Sequence, residues 1–152
     1  MQVNLDDVSY AGFWARFLAT ILDSIIQMMI LIPLLLALFG REIFVNPELS
    51  SSFSGIFVQY LLPLLWTILF WKYKSATPGK IMMGMAIVDA TTGGSPSTSR
   101  LVIRYFGYLV SAIPCGLGFL WVGWSKRKQG FHDMMANTVV IMTPKKLDHI
   151  DM

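Results

Sequence analysis

FWARFLATILDSIIQMMILIPLLLALF, residues 13–39, is apolar enough to cross a bilayer and yet carries Arg16 and Asp23 inside it. A helix needs about 20 residues to span the hydrocarbon, and an ionisable side chain within such a span marks a functional site by default. At about 100° per residue, Arg16, Thr20, Asp23, Ser24 and Gln27 fall within one arc of about 100°, while Leu, Ile, Met and Phe cover the rest of the circumference. One polar stripe is expected to run down this helix and to face other protein rather than lipid.

The rest of the chain has the same character. Of 152 residues, 55% are hydrophobic and only 14% charged, with a mean hydropathy of +0.58, so the chain reads as an integral membrane protein with one membrane domain and no separate soluble one. The first segment is too long for a signal-peptide core, follows Asp6 and Asp7 instead of a basic stretch, and lacks a small-residue cleavage site. It is expected to stay in place. Cys115 is the only cysteine, which excludes an internal disulfide. The net charge of +3 comes from basic residues that flank apolar segments, a topology signal rather than a nucleic-acid footprint.

Three segments emerge: a first span over 13–39, a second over 55–71 and a third apolar stretch over 101–124. Residues 40–54 form a loop marked by Asn46-Pro47 and a Ser run, with one cation and two anions. Residues 72–100 form a second loop with turns at Thr77-Pro78-Gly79 and Thr92-Gly93-Gly94 and a short strand near Met85 to Val88. Lys72, Lys74, Lys80, Arg100 and Arg104 make that region the most basic. The positive-inside rule then puts the second loop and the N-terminus in the cytoplasm and the first loop outside. A third plain crossing would strand Lys126, Arg127, Lys128, Lys145 and Lys146 on the outer side. The centre of segment three, Ile113-Pro114-Cys115-Gly116-Leu117-Gly118, is a strong helix breaker. The expected fold is therefore an all-α membrane protein with two full transmembrane helices, a third broken or re-entrant helical hairpin, and a small cytoplasmic β element. In that element Thr138 to Met142 of the tail, 125–152, pairs with Ala86 to Val88. The alternative is a kinked but complete third crossing.

Several of these pieces occur together in a known family. The Arg16 to Asp23 pair in FWARFLATILDSII, the segment ATPGKIMMGMAIVD, the Arg104 region and KRKQGFHDMMANTVVI cover about residues 10–142, and in this combination the chain resembles the RDD family of bacterial membrane proteins, named for one arginine and two aspartates. By this resemblance the arginine is Arg16 and the aspartates are Asp23 and Asp133. The resemblance implies an inner-membrane protein linked to transport, with exchange of monovalent cations against protons proposed for some members. Where similar proteins often carry an acid just before the basic tail motif, this chain has Ser125.

Two functions fit these residues. In the first, the protein exchanges a monovalent cation for protons: desolvation and a nearby cation push the Asp23 carboxyl in opposite directions, and Thr20, Ser24 and Gln27 supply oxygens that replace part of a cation's hydration shell. Arg16, Asp133, His132 and Arg104 complete the pathway, with His132 as a proton relay. Three spans enclose little room, so this reading expects a homo-oligomer with polar faces turned inward. In the second, the same polar groups are interhelical glue in a non-transporting adaptor that binds a protein partner or anionic lipid. Arg100, Lys126, Arg127 and Lys128 are then headgroup contacts at the inner surface. Gly107 and Ser111 form a small-xxx-small pair suited to close helix approach. No H-E-x-x-H, G-x-S-x-G or complete P-loop is present; Gly79-Lys80 lacks the upstream glycine and the following Ser or Thr. No enzyme, cofactor, metal centre or nucleic-acid partner is expected.

Overall fold

The computed structural model describes residues 2–113 and 116–143. Helix α1 runs Phe13–Phe39 and continues as a 3-10 turn, Gly40–Phe44. At about 1.5 Å per residue it is some 40 Å long, more than the roughly 30 Å of hydrocarbon and so suited to a tilted crossing. Pro33 lies inside it and removes one backbone N–H, which membrane helices tolerate. Only Ala19 and Leu35 of α1 are buried. Most of its other apolar side chains are exposed, with Trp14 and Met29 each 72% exposed. An apolar surface of that extent belongs in lipid.

The short helix α2, Pro47–Ser50, is started by Asn46, whose side-chain oxygen accepts the N–H groups of Glu48 and Leu49 at 3.0 and 3.4 Å. Ser52 caps the next helix through the Gly55 N–H at 3.1 Å. That helix, α3, runs Phe53–Lys74, wider at both ends than the 55–71 expected. It contains a π-turn at Phe57–Leu61 just before Pro63, and the widened turn accommodates a residue that cannot donate to the regular ladder. Leu35, Ile43 and Val58 form a small core between α1 and α3 at this far end.

Beyond α3 the chain forms a compact group of short elements: α4 (Pro78–Met82), β1 (Met85–Asp89), α5 (Thr98–Ala112), α6 (Leu117–Leu120), a 3-10 turn (Trp121–Gly123), α7 (Phe131–Ala136) and β2 (Thr138–Met142). β1 and β2 pair antiparallel with Ile87 opposite Val140, the pairing expected from two β-branched runs. Side chains alternate across this ribbon. Met85, Ile87 and Val140 pack with Ala11, Ala19, Trp71 and Leu101, and Ala86, Val88, Ala90, Val139 and Ile141 pack under Val3, Leu5, Val8 and Tyr10. The N-terminal stretch also covers the free edge of β2: the Ala11 N–H donates to the Val140 carbonyl at 2.9 Å and the Met142 N–H to Ser9 at 2.8 Å. Residues 2–12, the strands and residues 125–143 thus meet at the end of the bundle where α1 begins.

Among the described residues two helices, α1 with its 3-10 turn and α3, are long and apolar enough to cross a membrane, and a third segment qualifies only if α5 and the stretch Leu117–Gly123 are joined across a 112° bend. Pro114 and Cys115, on which the expected break centres, lie outside the described residues, as do Lys145 and Lys146. The flanking glycine pattern has a clear use. A Cβ at Gly118 would meet Ser111 Cα and Phe131 Cδ2, the latter at 2.8 Å. One at Gly107 would lie 2.8 Å from His132 Cα, so Gly107 and Ser111 admit α6 and α7 against α5. Replacing Gly107 by Val is expected to destabilise the fold by about 1–3 kcal/mol and to lower the thermal midpoint in detergent. Gly123→Ala, where a Cβ meets nothing within 4 Å, is expected to leave the midpoint unchanged.

Candidate functional site

Asp133 is the third residue of α7 and is completely buried. Its Oδ2 accepts the Gly130 N–H at 3.0 Å, which starts the helix, and the Arg16 Nη1 at 2.5 Å. Its Oδ1 takes the Nη1 of Arg104, which also donates to the Thr138 hydroxyl at 2.7 Å. One carboxylate on α7 therefore ties α1 to α5, and Arg104 carries the tie on to β2. Arg16 further donates its Nε to the Ala11 carbonyl at 2.9 Å and its Nη2 to the Lys128 carbonyl. The guanidinium carbon of Arg104 lies 5.4 Å from the ring centre of Trp71 and 5.9 Å from that of Tyr108, an arrangement that offsets part of its desolvation.

Asp23 does not pair with Arg16 or Arg104. Seven residues on a helix correspond to about 10.5 Å of rise, and across that gap Asp23 turns to a different partner. It accepts the Thr77 hydroxyl at 2.5 Å and the Gly79 N–H at 2.7 Å, thereby holding the start of α4 against α1. Gly79 is required for this approach, since a Cβ there would lie 2.9 Å from Asp23 Cγ. Thr20 and Ser24 donate back to the carbonyls of Arg16 and Thr20, each at 2.9 Å. Gln27 reaches across to the Thr67 hydroxyl at 3.4 Å, so the stripe meets α3 there.

These groups surround a cavity of about 630 Å³ lined from α1, α3, α4, α5, α6 and α7. Of the ion-pathway candidates, Arg16, Thr20, Asp23, Gln27, Arg104 and His132 line it, whereas Asp133 sits behind Arg16 and Arg104. The headgroup candidates lie elsewhere. Arg100 pairs with Asp89 at the end of β1, Arg127 donates to the Ala90 carbonyl at 2.6 Å, Lys128 takes a left-handed turn with φ 52° that offers its carbonyl to Arg16, and Lys126 is exposed. Four contributors were not singled out from sequence as site residues: Trp71, Thr77, Lys80 and Tyr108. The one available signal was that Thr77 and Lys80 flank the Pro-Gly that opens α4. Among the described residues there is no group of three or more His, Cys, Asp or Glu arranged to hold a metal ion.

Electrostatics follow from this packing. Burial alone would raise the Asp133 carboxyl, but Arg104, His132, Arg16 and the Gly130 N–H together hold it well below the usual carboxylate range. His132, 4% exposed, is pushed down to about 3, by burial first, against the pull of Asp133 and with the cations Arg104, Arg16 and Lys80 adding to the effect. It is neutral at physiological pH. Its ring lies 4.4 Å from that of Tyr108 and 5.4 Å from that of Phe119, measured between ring centres, and Nδ1 meets the Ser111 hydroxyl at 3.2 Å. The proton-relay role expected of His132 would need it to titrate near neutrality, which this environment opposes. Around β1, burial would raise the Asp89 carboxyl, and the N–H groups of Thr91 and Thr92 with the charge of Arg100 outweigh it and hold it low.

A model of the RDD family matches residues 10–137. An uncharacterized protein of Rickettsia prowazekii is 30% identical over 88% of this chain and 96% of its own length. An uncharacterized membrane protein of Bacillus subtilis is 31% identical over 88% of this chain and 81% of its own, and a proline-rich antigen homolog of Mycobacterium tuberculosis is 29% identical over 60% and 41%. No solved structure matches the chain significantly. The chain belongs to the RDD family and is a small membrane protein.

Asp133→Asn is expected to cost about 3–5 kcal/mol, because two buried guanidiniums lose the charge they share, and to be visible as a loss of folded protein on heating in detergent. A second expectation concerns pH. A histidine whose folded pKa is depressed binds fewer protons than in the unfolded chain, so stability falls as pH drops from about 6.5 toward 3. A thermal midpoint that is flat above pH 7 and declines below 6.5, with the decline weakened in His132→Asn, is the expected record.

Proposed function

We propose, with membership of the RDD family as the premise, that this chain is a non-transporting binding protein of the bacterial cytoplasmic membrane. Its working site is the cavity between α1, α3, α4 and α5. The observation that carries the proposal is that neither carboxylate of the site is free: Asp133 is held by two guanidiniums and Asp23 by Thr77 and Gly79. A cation exchanger needs a carboxylate that alternates between a proton and the cation, and here each is already engaged in holding helices together. One chain encloses the cavity, so binding does not call for the homo-oligomer that a shared ion path would require. The chemistry is recognition, not catalysis.

A topology goes with this reading: N-terminus, residues 72–100 and the tail in the cytoplasm, residues 40–54 outside, and the α5–α6 segment re-entrant. It is supported by the basic residues Lys72, Lys74, Lys80, Arg100 and Lys126–Lys128. It is also supported by the contacts of the tail with Ala11, Arg16 and Ala90, since a tail on the far side of the membrane could not reach the start of α1.

Exchange of a monovalent cation for protons is the second reading, favoured by one observation: Thr20, Asp23, Ser24, Gln27, Thr67 and Thr77 bring oxygen-bearing side chains to the same cavity. The two are separated by proton flux in proteoliposomes containing purified protein under sodium, potassium or lithium gradients. No cation-dependent flux is expected from wild type. A flux that disappears in Asp23→Asn at equal protein incorporation would replace the binding reading with exchange at Asp23.

A further inference from the structure

The cavity holds buried hydrogen-bond donors that have no acceptor among the described residues. Each oxygen of Asp23 and of Asp133 already accepts a hydrogen bond, and the Thr20 and Ser24 hydroxyls spend their protons on backbone carbonyls. On the donor side, Trp71 Nε1 and Arg104 Nε are buried without an acceptor among the described residues. Lys80 adds a full charge to these. It is 6% exposed and lines the cavity, yet among the described residues its ammonium has neither a hydrogen bond nor an ion pair. The cations Arg16, Lys80 and Arg104 outnumber the carboxylates Asp23 and Asp133 by one; Asp133 is shared by the two guanidiniums, and Lys80 makes an ion pair with neither carboxylate.

Lys80 is held in this position by the rest of the site. It lies on α4, whose first turn is fixed by Asp23 through Thr77 and Gly79. A buried ammonium without a counter-charge is costly, and an anion that reaches it recovers both the Coulomb energy and charge-assisted hydrogen bonds. The remaining walls are apolar: Phe13, Phe17, Phe119, Leu120 and Val122. Among the lining residues, Phe17, Thr20, Ser24 and Leu120 are exposed at the surface of the bundle. The mouth therefore opens sideways beside α1, a membrane-spanning helix, toward the lipid phase.

We propose that the cavity binds an anionic amphiphile whose oxyanion head, a phosphate or carboxylate, pairs with Lys80 while its hydrocarbon chain leaves past Phe17 and Leu120 between α1 and α6. This deepens the binding reading and rests on it. The ligand is drawn from the membrane itself. A soluble phosphate shares the head chemistry but lacks the chain that the apolar walls and the lateral mouth fit.

The test is thermal unfolding of the purified protein in dodecyl maltoside with three additives: lysophosphatidylglycerol, lysophosphatidylcholine of the same chain length, and glycerol 3-phosphate. Lysophosphatidylglycerol is expected to raise the midpoint saturably, with an apparent affinity about tenfold or more above that for lysophosphatidylcholine. Glycerol 3-phosphate at equal concentration is expected to give no shift. Lys80→Met should lose that tenfold preference while its midpoint without additive stays at or above that of wild type, because an uncompensated buried charge has been removed. Lys80→Arg should keep the preference. Equal responses to the two lysolipids, or an unchanged preference in Lys80→Met, would overturn the headgroup assignment and leave the cavity as an amphiphile site. A full response to glycerol 3-phosphate would overturn the lipid source, and a lowered midpoint of Lys80→Met would make Lys80 a structural residue and end the proposal. If none of the three additives shifts wild type, the binding reading fails with it.

Discussion

The carboxylate of Asp133 is the interaction on which the rest of the structure depends. It joins a membrane-spanning helix, α1, to α5 and, through Arg104 and Thr138, to β2, while the same oxygen that receives Arg16 also starts α7. Two guanidiniums around one buried carboxylate would leave a surplus positive charge if nothing else contributed. Trp71 and Tyr108 supply ring faces to Arg104, and backbone carbonyls of Ala11 and Lys128 take further donors of Arg16. Such networks hold best when every member is satisfied, and among the described residues Arg104 Nε is a buried donor left without a partner.

A second carboxylate does different work with less charge. Asp23 lies deeper in α1 and is only half-buried, and it fixes the Thr77-Pro78-Gly79 turn with a hydroxyl and a backbone N–H instead of a cation. Its purpose in the architecture is placement: the turn it holds leads directly into Lys80 on α4. The two aspartates divide the site between them, Asp133 assembling its frame and Asp23 setting the one side chain whose charge is not already spent.

The main elements were legible because their signals are local. The apolar run from Phe13 ends at Gly40, whose positive φ closes the helix, and the β-branched runs at Met85 and Thr138 pair as their composition suggests. The glycine-rich centre of segment three predicts a break, and the helices described on either side of it, α5 and α6, form one span only if joined across a bend of 112°. What sequence spacing could not supply was partnership. Arg16 and Asp23 share one helical face, which invites pairing them, but the rise between them separates their levels and each binds a residue far along the chain. Lys80 looked like a surface cation on a basic loop, and its burial follows only from the fit of Gly79 against α1. The first dozen residues gave no strand pattern, yet they roof the sheet, because the edge of β2 and the apolar face above it had to be covered by something.

The contact between Arg16 and Asp133 joins residues 117 positions apart, and this separation imposes an order on biogenesis. At a synthesis rate of about 5–20 residues per second, α1 leaves the ribosome roughly ten seconds before its carboxylate partner exists. During that interval Arg16 must rest in the hydrated headgroup layer, where a long side chain can snorkel, and α1 cannot settle to its final depth. The cavity therefore closes late, and a nascent chain released before residue 133 would be inserted but left without the clasp that closes it.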